Sequence, residues 1–464
     1  MKALDLGNPK VLSTVLRLVI PAMIAQFINV LYSIVDRIYV GNIAQIGDTA
    51  LAAVGVCAPI ATLISSFAFL IGTGGAPLFS MALGEKKEDK ASAILSNALT
   101  ALIGLALIVT AVVFLFENPL LHTFGASEST YGYARQYLLI YAAGSLFSIT
   151  SVGLNQYITA QGYSGIGMAT TLIGAVANIA LDPLFIFVFR MNVAGAAIAT
   201  VISQFLSFLF VLIFLRMKGT KIRLVLRKPD LRVIGKIVRL GISPFLIMST
   251  DSVIIIISNA VLQTHGGADG DAWITVSTVV QAFFQLLTMP MLGISTGSQP
   301  VISYNYGAKN EKIIRRAEKY IVCMCLIFTT FMTLVSLFAA KPFVSLFTGT
   351  PDIVEKSVWG IRVFMIGAIP LSFQYAFVDG LTALGQPQYA IVLSMMRKLV
   401  VFLGCILILP LFYGVQAVFY AEPAADIFSA VLSSCVFLIV FPRVLKKRMQ
   451  PEISTQKAQN VPSK

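Results

Sequence analysis

The sequence has little charge and few of the residues that catalytic and metal sites most often use. Its 464 residues include two histidines, and only 12% are charged, where a soluble protein carries about 25%. Both histidines, His122 and His265, fall in predicted outer loops, so neither a metal cluster nor a Ser/His/Asp triad is expected. The sequence also lacks a P-loop motif, which excludes ATP hydrolysis by that route. The composition therefore predicts a protein that is not an enzyme and that uses no organic cofactor.

Cysteines are equally scarce. All five lie inside apolar stretches, without the spacing of a zinc site or a redox pair. They are predicted to be small buried apolar side chains, which excludes a disulfide framework. The five are Cys57, Cys323, Cys325, Cys405 and Cys435.

What the sequence has in abundance is apolar length. Hydrophobic residues make up 57% of the chain, and runs of 18 or more recur along it. Each run can cross a hydrocarbon core about 30 Å thick. Because a β-barrel would show short alternating strands instead, we expect an all-α polytopic membrane protein with twelve transmembrane helices. The runs are 14–40, 49–83, 91–116, 130–162, 167–190, 193–216, 238–263, 271–306, 313–340, 353–385, 388–410 and 415–442.

The net charge of +13 is distributed unevenly between alternate loops. Most lysines and arginines fall on the side of the bundle that receives both termini and the central segment Arg216–Arg239. This bias predicts that both termini are cytoplasmic in a multi-pass protein of the cell membrane. The expected partner of the basic surface is the lipid bilayer with its anionic headgroups, and no nucleic acid is expected.

One half of the chain repeats the other. Residues 71–90 and 294–313 are identical at eight of twenty aligned positions. The repeat predicts two pseudo-symmetric six-helix lobes, parallel to each other, with a substrate path between them. The predicted divisions are an N-terminal lobe at 1–215, a cytoplasmic linker at 216–237, a C-terminal lobe at 238–442 and a cytoplasmic tail at 443–464. The linker has the composition of an amphipathic helix on the membrane surface.

The first predicted span carries a polar face. Gln26, Asn29, Ser33 and Asp36 recur at steps of three and four, which places them on one side of a helix. A charged carboxylate in hydrocarbon costs roughly 2.5–3.5 kcal/mol, so Asp36 suggests a functional site. Because Asp36 lies near the outer interface, a solvated helix end beside Arg37 is the alternative interpretation.

The fifth span carries an isolated acid. Asn178 and Asp182 lie one turn apart, and Pro183 leaves a carbonyl of the preceding turn without a hydrogen bond. An aspartate among apolar residues suits a proton or cation acceptor, although a buried carboxylate capping a broken helix is also compatible. Thr200 in the sixth span is a candidate neutral oxygen ligand.

The second half has a different set of polar residues. Asp251 lies near the middle of the seventh span, and Gln281 and Gln285 belong to a polar face of the eighth span that could line a cavity. Asp379 lies close to the turn at Gly385, where a functional role and a capping role are both open.

The remaining charges of the second half are assigned to the surface. Arg397 and Lys398 are predicted to extend towards the cytoplasmic interface. Glu422 and Asp426 are predicted to be solvated near the outer surface. These assignments leave the proposed cavity with acids but with no basic cluster.

Two aspartate motifs carry a resemblance to a known family. The pattern Leu31-Tyr-Ser-Ile-Val-Asp36-Arg, preceded by Pro21, and the pattern Asn178-Ile-Ala-Leu-Asp182-Pro resemble the multidrug and toxic compound extrusion (MATE) family. The likeness is strongest to its MepA-like bacterial members, near the DinF-like branch, and covers essentially the whole chain. It implies a secondary active antiporter that exports small organic cations or amphipathic drugs in exchange for H⁺ or Na⁺, functioning as a monomer.

The resemblance also implies residue roles. The proton or cation site would comprise Asp36, Asn178, Asp182 and Thr200, with Na⁺ held by the first three if sodium is the coupling ion. Pro21 would be a hinge in the first helix. The tenth-helix acid of some members would fall near Phe373 or Gln374, and neither is acidic, which favours coupling through the N-terminal lobe. Tyr137 and Asn155 would be neighbours of this site. Together with the polar residues found above, the candidate substrate or cavity-lining residues are Gln26, Asn29, Tyr137, Asn155, Asp251, Gln281 and Gln285.

Three other functions are compatible with part of this pattern. A flippase for a lipid-linked saccharide, from the same superfamily, would need a basic cavity for pyrophosphate. A major-facilitator transporter also has six plus six helices, but its Gly-x-x-x-Asp-Arg-x-Gly loop is missing after the second span. A membrane scaffold without transport activity would have no need of buried carboxylates.

Overall fold

The computed structural model describes residues 4–44, 46–124, 126, 128–347 and 350–449. In that part of the chain the regular structure is helical, and twelve helical segments are long and apolar enough to cross a membrane. The predicted all-α membrane fold is therefore confirmed. The α-helices are α1 (Val11–Gly41), α2 (Gly47–Gly84), α3 (Glu88–Thr123), α4 (Glu128–Ala160), α5 (Ser164–Pro183), α6 (Asn192–Arg216), α7 (Leu231–Gly266), α8 (Gly270–Gly307), α9 (Glu311–Val344), α10 (Pro351–Ala383), α11 (Pro387–Met395), α12 (Leu403–Tyr413) and α13 (Ala421–Met449).

Two spans contain π-helical turns. The fifth span continues from α5 into a π-helix at Leu184–Val188, directly after Pro183. The eleventh joins α11 to α12 through a π-helix at Met396–Phe402. A π-turn widens the helix and redirects the side chains that follow, and such turns occur frequently at functional sites. Both π-turns adjoin charged residues discussed below.

Each lobe has its own apolar core, but the first helix of each lobe contributes to both. Val15 and Leu18 of α1 pack into the core formed by α7–α13. In the opposite sense, Val238 and Ile242 of α7 pack against the core of α2–α6. Leu18 and Gly241 are equivalent in the repeat, as are Val15 and Val238. The lobes therefore exchange the first halves of α1 and α7, and the spatial boundary does not follow the sequence boundary at 215.

The lobes meet closely at the end of the bundle that carries the loops 85–87, 217–230, 308–310 and 384–386, here called the basic end. A Cβ added to Gly84 of α2 would overlap the carbonyl of Tyr304 in α8. A Cβ added to Gly307 would overlap the carbonyl of Met81 in the same way. These are repeat-equivalent positions, so the pseudo-twofold axis passes through the crossing of α2 and α8. The lobes are in contact at the basic end.

The segment between the lobes is extended. Residues 223–230 contain no regular helix, and α7 begins at Leu231, within the predicted linker. The backbone amide of Asp230 donates to Asn97 Oδ1 at 2.6 Å, and that of Arg227 donates to Ser96 Oγ at 2.8 Å. An amphipathic helix does not form over 223–230, where polar side chains of α3 bind the backbone instead, and the helical part of the predicted linker is the start of α7.

The last helix extends past its predicted end, through Met449, and residues 450–464 of the predicted tail lie outside the described part of the chain. Near the end of α13, Arg448 donates to Glu85 Oε1 at 2.6 Å, which ties the C-terminal lobe to the α2–α3 turn. Helix α1 is continuous through Pro21, and its hinge role stays a prediction.

Candidate functional site

The N-terminal lobe brings two carboxyl groups together in its interior. Asp36 of α1 and Asp182 at the end of α5 lie within hydrogen-bonding reach of each other. The Asn178 amide donates to Asp182 Oδ1 and to Thr200 Oγ1, each at 3.3 Å. Asp182 has no solvent-exposed surface, and Asn178 and Thr200 are also buried. The four residues that the resemblance assigns to a cation site thus form one cluster.

Several oxygens of this cluster have no hydrogen-bond partner in the described part of the chain. One carboxyl oxygen of Asp36, one of Asp182 and the amide oxygen of Asn178 are buried and unpaired. Two adjacent carboxylates in a dry site repel each other, so the pair favours a shared proton or a bound cation. Arg37 on the same helix interacts electrostatically with Asp36. A carboxyl pair of this kind is chemically suited to bind a proton or a cation.

Tyrosines surround the carboxyl pair. Tyr32 and Tyr137 both interact electrostatically with Asp36, and Tyr137 stacks on Tyr141 with ring centroids 6.2 Å apart. Tyr32 precedes Asp36 by one helical turn, a spacing that could have revealed it in the sequence. The aromatic rings cover part of the site and reduce its contact with solvent, which strengthens the electrostatic interactions within it.

Three other predicted residues of this lobe lie outside the cluster. On α1, the Asn29 amide donates to Gln26 Oε1 at 3.4 Å, so these two bind each other. Asn155 of α4 donates to the Gly167 carbonyl at 3.1 Å. Gly167 precedes Asn178 by eleven residues of α5, about 16 Å along the axis. The structure does not bring Asn155 to the carboxyl pair.

The C-terminal lobe contains a cavity of about 220 Å³ between α7, α8, α10, α11 and α13. Asp251, Gln281 and Gln285 line it, together with Tyr375. Its apolar wall includes phenylalanine and methionine side chains, which can adjust to ligands of different shape. The polar face that the sequence predicts on α8 therefore faces a cavity.

This cavity also contains bases that the sequence assigned to the surface. Lys398 Nζ lies 2.7 Å from Asp251 Oδ1. Arg397 is only 5% exposed, and its guanidinium binds Glu422 at 2.8 Å and Asp426 at 2.7 Å. The predictions that the two bases extend to the interface and that the two acids are solvated are wrong. The π-helix that contains Arg397 and Lys398 directs both into the lobe, towards acids on other helices.

A second carboxyl pair lies in the same lobe. Asp379 accepts a hydrogen bond from Gln299 Nε2 at 3.1 Å and lines the cavity. Next to it is Glu318 of α9, which sequence reasoning missed. Glu318 follows Arg315-Arg316 near a basic loop, where an acid resembles an ordinary solvated residue. The helical phase of its buried neighbours Ile314 and Ile321 was the only signal of its position.

Two six-helix lobes with ionisable clusters and a polar cavity inside the membrane-spanning region define a multi-pass membrane transporter. The MatE family model matches residues 21–184 and 247–407, in both lobes. The chain therefore belongs to the MatE family, as its two aspartate motifs predict.

Relatives and solved structures agree with this assignment. The chain is 27% identical over 424 residues to the multidrug export protein MepA of Staphylococcus haemolyticus, covering 91% of each. It is 25% identical over 436 residues to MepA of Staphylococcus aureus, covering 92% of this chain and 93% of MepA. A multidrug resistance MATE family transporter of the MOP superfamily, solved in an outward-facing conformation, has a similar fold. The TM-score is 0.87 at 24% identity, with 96% of this chain and 100% of that one covered.

Proposed function

We propose that this protein is a multidrug exporter that moves small organic cations or amphipathic drugs out of the cell in exchange for H⁺ or Na⁺. The names of the MepA relatives support the substrate class. The proposed coupling mechanism rests on one observation in particular, the contact of Asp36 with the buried Asp182 beside Asn178 and Thr200.

The carboxyl pair exchanges one positive charge for another. When the pair has lost its proton or sodium ion, its negative charge attracts an organic cation into the interior. Binding of H⁺ or Na⁺ from outside neutralises the pair, which removes this attraction and releases the drug. The apolar and tyrosine-rich surroundings make the effect strong, because charges interact more strongly where water is excluded.

The membrane orientation follows from the same proposal. We expect the protein to lie in the cell membrane with both termini in the cytoplasm, because most of its lysines and arginines fall at the basic end when the two chain termini and the helix ends beside its loops are included. It acts as a monomer, and its coupling ion is the only cofactor it requires. The contact between the lobes at the basic end then corresponds to an exporter that is closed towards the cytoplasm.

The test is efflux of ethidium from proteoliposomes that contain the purified full-length protein, with a pH gradient and a sodium gradient imposed separately. We expect Asp182→Asn to reduce gradient-driven efflux to the level of protein-free liposomes. Asp352→Asn is the matched control, because this acid is exposed and pairs only with Lys356 one turn away. Full efflux by Asp182→Asn under both gradients would contradict the proposed site.

The flippase alternative gains one observation from the structure. Arg397 and Lys398 line the C-terminal cavity, where a pyrophosphate would require positive charge. Both are already neutralised, however, because Arg397 binds Glu422 and Asp426 and Lys398 binds Asp251. With more acids than bases at the cavity, an organic cation is the better ligand. Movement of a fluorescent lipid pyrophosphate across the same liposomes, without ethidium efflux, would favour the flippase.

A further inference from the structure

Glu318 is a buried acid without a compensating partner. It is only 5% exposed, and both of its carboxyl oxygens lack a hydrogen-bond partner in the described part of the chain. A charged carboxylate in such a place is unfavourable unless it binds a proton or a cation. Its position therefore needs an explanation beyond packing.

The backbone of α10 is shaped around this acid. A Cβ added to Gly380 would lie 2.8 Å from Glu318 Oε1 and 3.0 Å from Oε2, so the carboxyl group packs directly against the α10 backbone and a larger residue at 380 would displace it. The adjacent residue is Asp379, whose carboxyl group interacts electrostatically with Glu318. On its other side, Asp379 is held by Gln299 and Ser295 of α8. The pair spans the contact between α9 and α10.

The two acids face different spaces. Asp379 lines the C-terminal cavity, whereas Glu318 lines a separate hollow of about 340 Å³ between α9, α10 and α13. Glu318 lies seven residues into α9, about 10 Å from the basic end. The hollow is bounded by Arg315 and Lys319 and by the rings of Phe377, Phe437 and Phe441. Among the described residues, the carboxyl groups of Asp379 and Glu318 thus lie between the cavity and the hollow.

We propose that Asp379 and Glu318 form a proton relay between the C-terminal cavity and the basic end. A proton on the Asp379 carboxyl group passes through an intervening water to the Glu318 carboxylate, which leaves Asp379 ionised and Glu318 neutral. Glu318 then gives the proton to water beside the exposed Arg315 and Lys319. A proton fits the site better than sodium, because Gln299 presents an N–H donor to Asp379 and few neutral oxygens surround the pair.

Few other groups at the site can titrate or carry charge. On α9 itself, Arg315 binds Glu311 at 2.7 Å and lies over the Phe441 ring, and Lys319 is exposed. Cys325 of α9 and Tyr375 of α10 interact electrostatically with Asp379. Helix α8 presents Gln299 and Ser295, and α13 presents phenyl rings. A shared proton on the pair therefore depends mainly on the two carboxyl groups.

The relay belongs to one lobe only. By the repeat, Glu318 aligns with Leu95 and Asp379 with Gln156, neither of which is acidic. The relay rests on the proposed function in one respect, because it supplies the exporter with a route for protons. The relay can therefore be tested separately from the site at Asp36 and Asp182.

The first test is infrared difference spectroscopy of the full-length protein in liposomes as the pH is changed. We expect a carboxylic-acid C=O band that titrates in the wild type and is missing in Glu318→Gln. Asp379→Asn should move the pH at which this band disappears. Glu355→Gln, which removes an exposed acid of α10, should leave the band unchanged. Titration identical to the wild type in both Glu318→Gln and Asp379→Asn would overturn the relay.

The second test measures proton movement during ethidium efflux, with a pH-sensitive dye inside the liposomes. We expect Glu318→Gln to slow proton movement several-fold while ethidium binding is retained, and Glu318→Asp to recover part of the rate. Unchanged proton movement in Glu318→Gln would overturn the relay without affecting the site at Asp36 and Asp182. If Asp182→Asn kept full efflux while Glu318→Gln lost proton movement, the proposed function would need a different site and the relay would stand.

Discussion

The two lobes have the same six-helix plan but carry their carboxyl pairs at opposite depths. Asp36 lies five residues from the end of α1 that is remote from the basic end, about 7 Å along the axis. In the C-terminal lobe, Asp379 lies four residues from the basic end of α10, about 6 Å. Glu318 lies at a similar level. A duplicated scaffold thus presents one ionisable pair towards each side of the membrane.

The lobes also differ in how they compensate their acids. The N-terminal pair has no ion-pair partner among the described residues, and Arg37 acts on it only at longer range. The C-terminal lobe buries Arg397 against Glu422 and Asp426 and pairs Lys398 with Asp251. The difference separates a carboxyl pair without a close base from acids that are held by Arg397 and Lys398 in ion pairs.

The largest effect is expected when the carboxyl groups of Asp36 and Asp182 are removed. The double variant Asp36→Asn with Asp182→Asn should lose no more gradient-driven efflux than either single variant, because the two carboxyl groups act as one unit. Ethidium efflux from proteoliposomes measures the three variants side by side. Residual efflux in either single variant that disappears in the double variant would mean that the carboxyl groups work independently.

The second prediction concerns the buried ion pairs that Arg397 makes with Glu422 and Asp426. Replacing Arg397 by methionine leaves Glu422 and Asp426 buried without a base and should lower the free energy of unfolding by about 3–5 kcal/mol. The triple variant Arg397→Met, Glu422→Gln, Asp426→Asn should recover most of that loss, since no uncompensated charge remains. Denaturant titration in detergent measures both. A triple variant as unstable as the single one would show that packing of the guanidinium, and not its charge, is what matters.

A third, smaller effect tests the contact between the lobes. Gly307→Ala places a methyl group against the Met81 carbonyl and should cost about 1–3 kcal/mol of closure at the basic end. Distances between spin labels on the two lobes should lengthen at that end. Gly104→Ala is the matched control, because an added Cβ there meets nothing within 4 Å. Equal distances in the two variants would argue against a closed basic end.

The smallest effect is that of the ion pair at the basic end. Burial opposes ionisation of Glu85, but hydrogen bonds from Arg448, Lys87 and Lys90 outweigh it and hold its pKa at about 2. Because the folded pKa lies below the unfolded value, the contact stabilises fully above about pH 4.5 and is lost as the pH falls through 2. Glu85→Gln should lower stability at pH 7 by roughly 0.2–1 kcal/mol and have no effect near pH 2. Unfolding of both proteins across this pH range provides the measurement.

The fold was largely predictable because membrane spans are read from local composition. Each apolar run became a span, and even the cluster of Asn178, Asp182 and Thr200 followed from turn spacing and a family motif. The ends were less predictable. Helices α7 and α13 continue into segments rich in charge, since helical backbone extends beyond the hydrocarbon wherever neighbouring helices support it.

The C-terminal site could not be predicted because its partners are far apart in sequence. Arg397 meets Asp426 twenty-nine positions later, and the π-helical turn that directs it inward leaves no mark in an apolar pattern. Glu318 was missed for the opposite reason, since its basic neighbours suggested solvent. Isolated acids in apolar runs are conspicuous, whereas acids that depend on tertiary neighbours are not.

The exchange of helix halves between the lobes has a mechanical consequence. Val15 of α1 packs in the C-terminal core, and Val238 of α7 packs against the N-terminal core. Each lobe is therefore held to the other by its first helix. Pro21 and Pro244, equivalent in the repeat, lie just past these anchors. Neither half of the chain can complete its own interior, so the protein should denature in a single cooperative step. Two separately expressed halves should become stable only when they are made together.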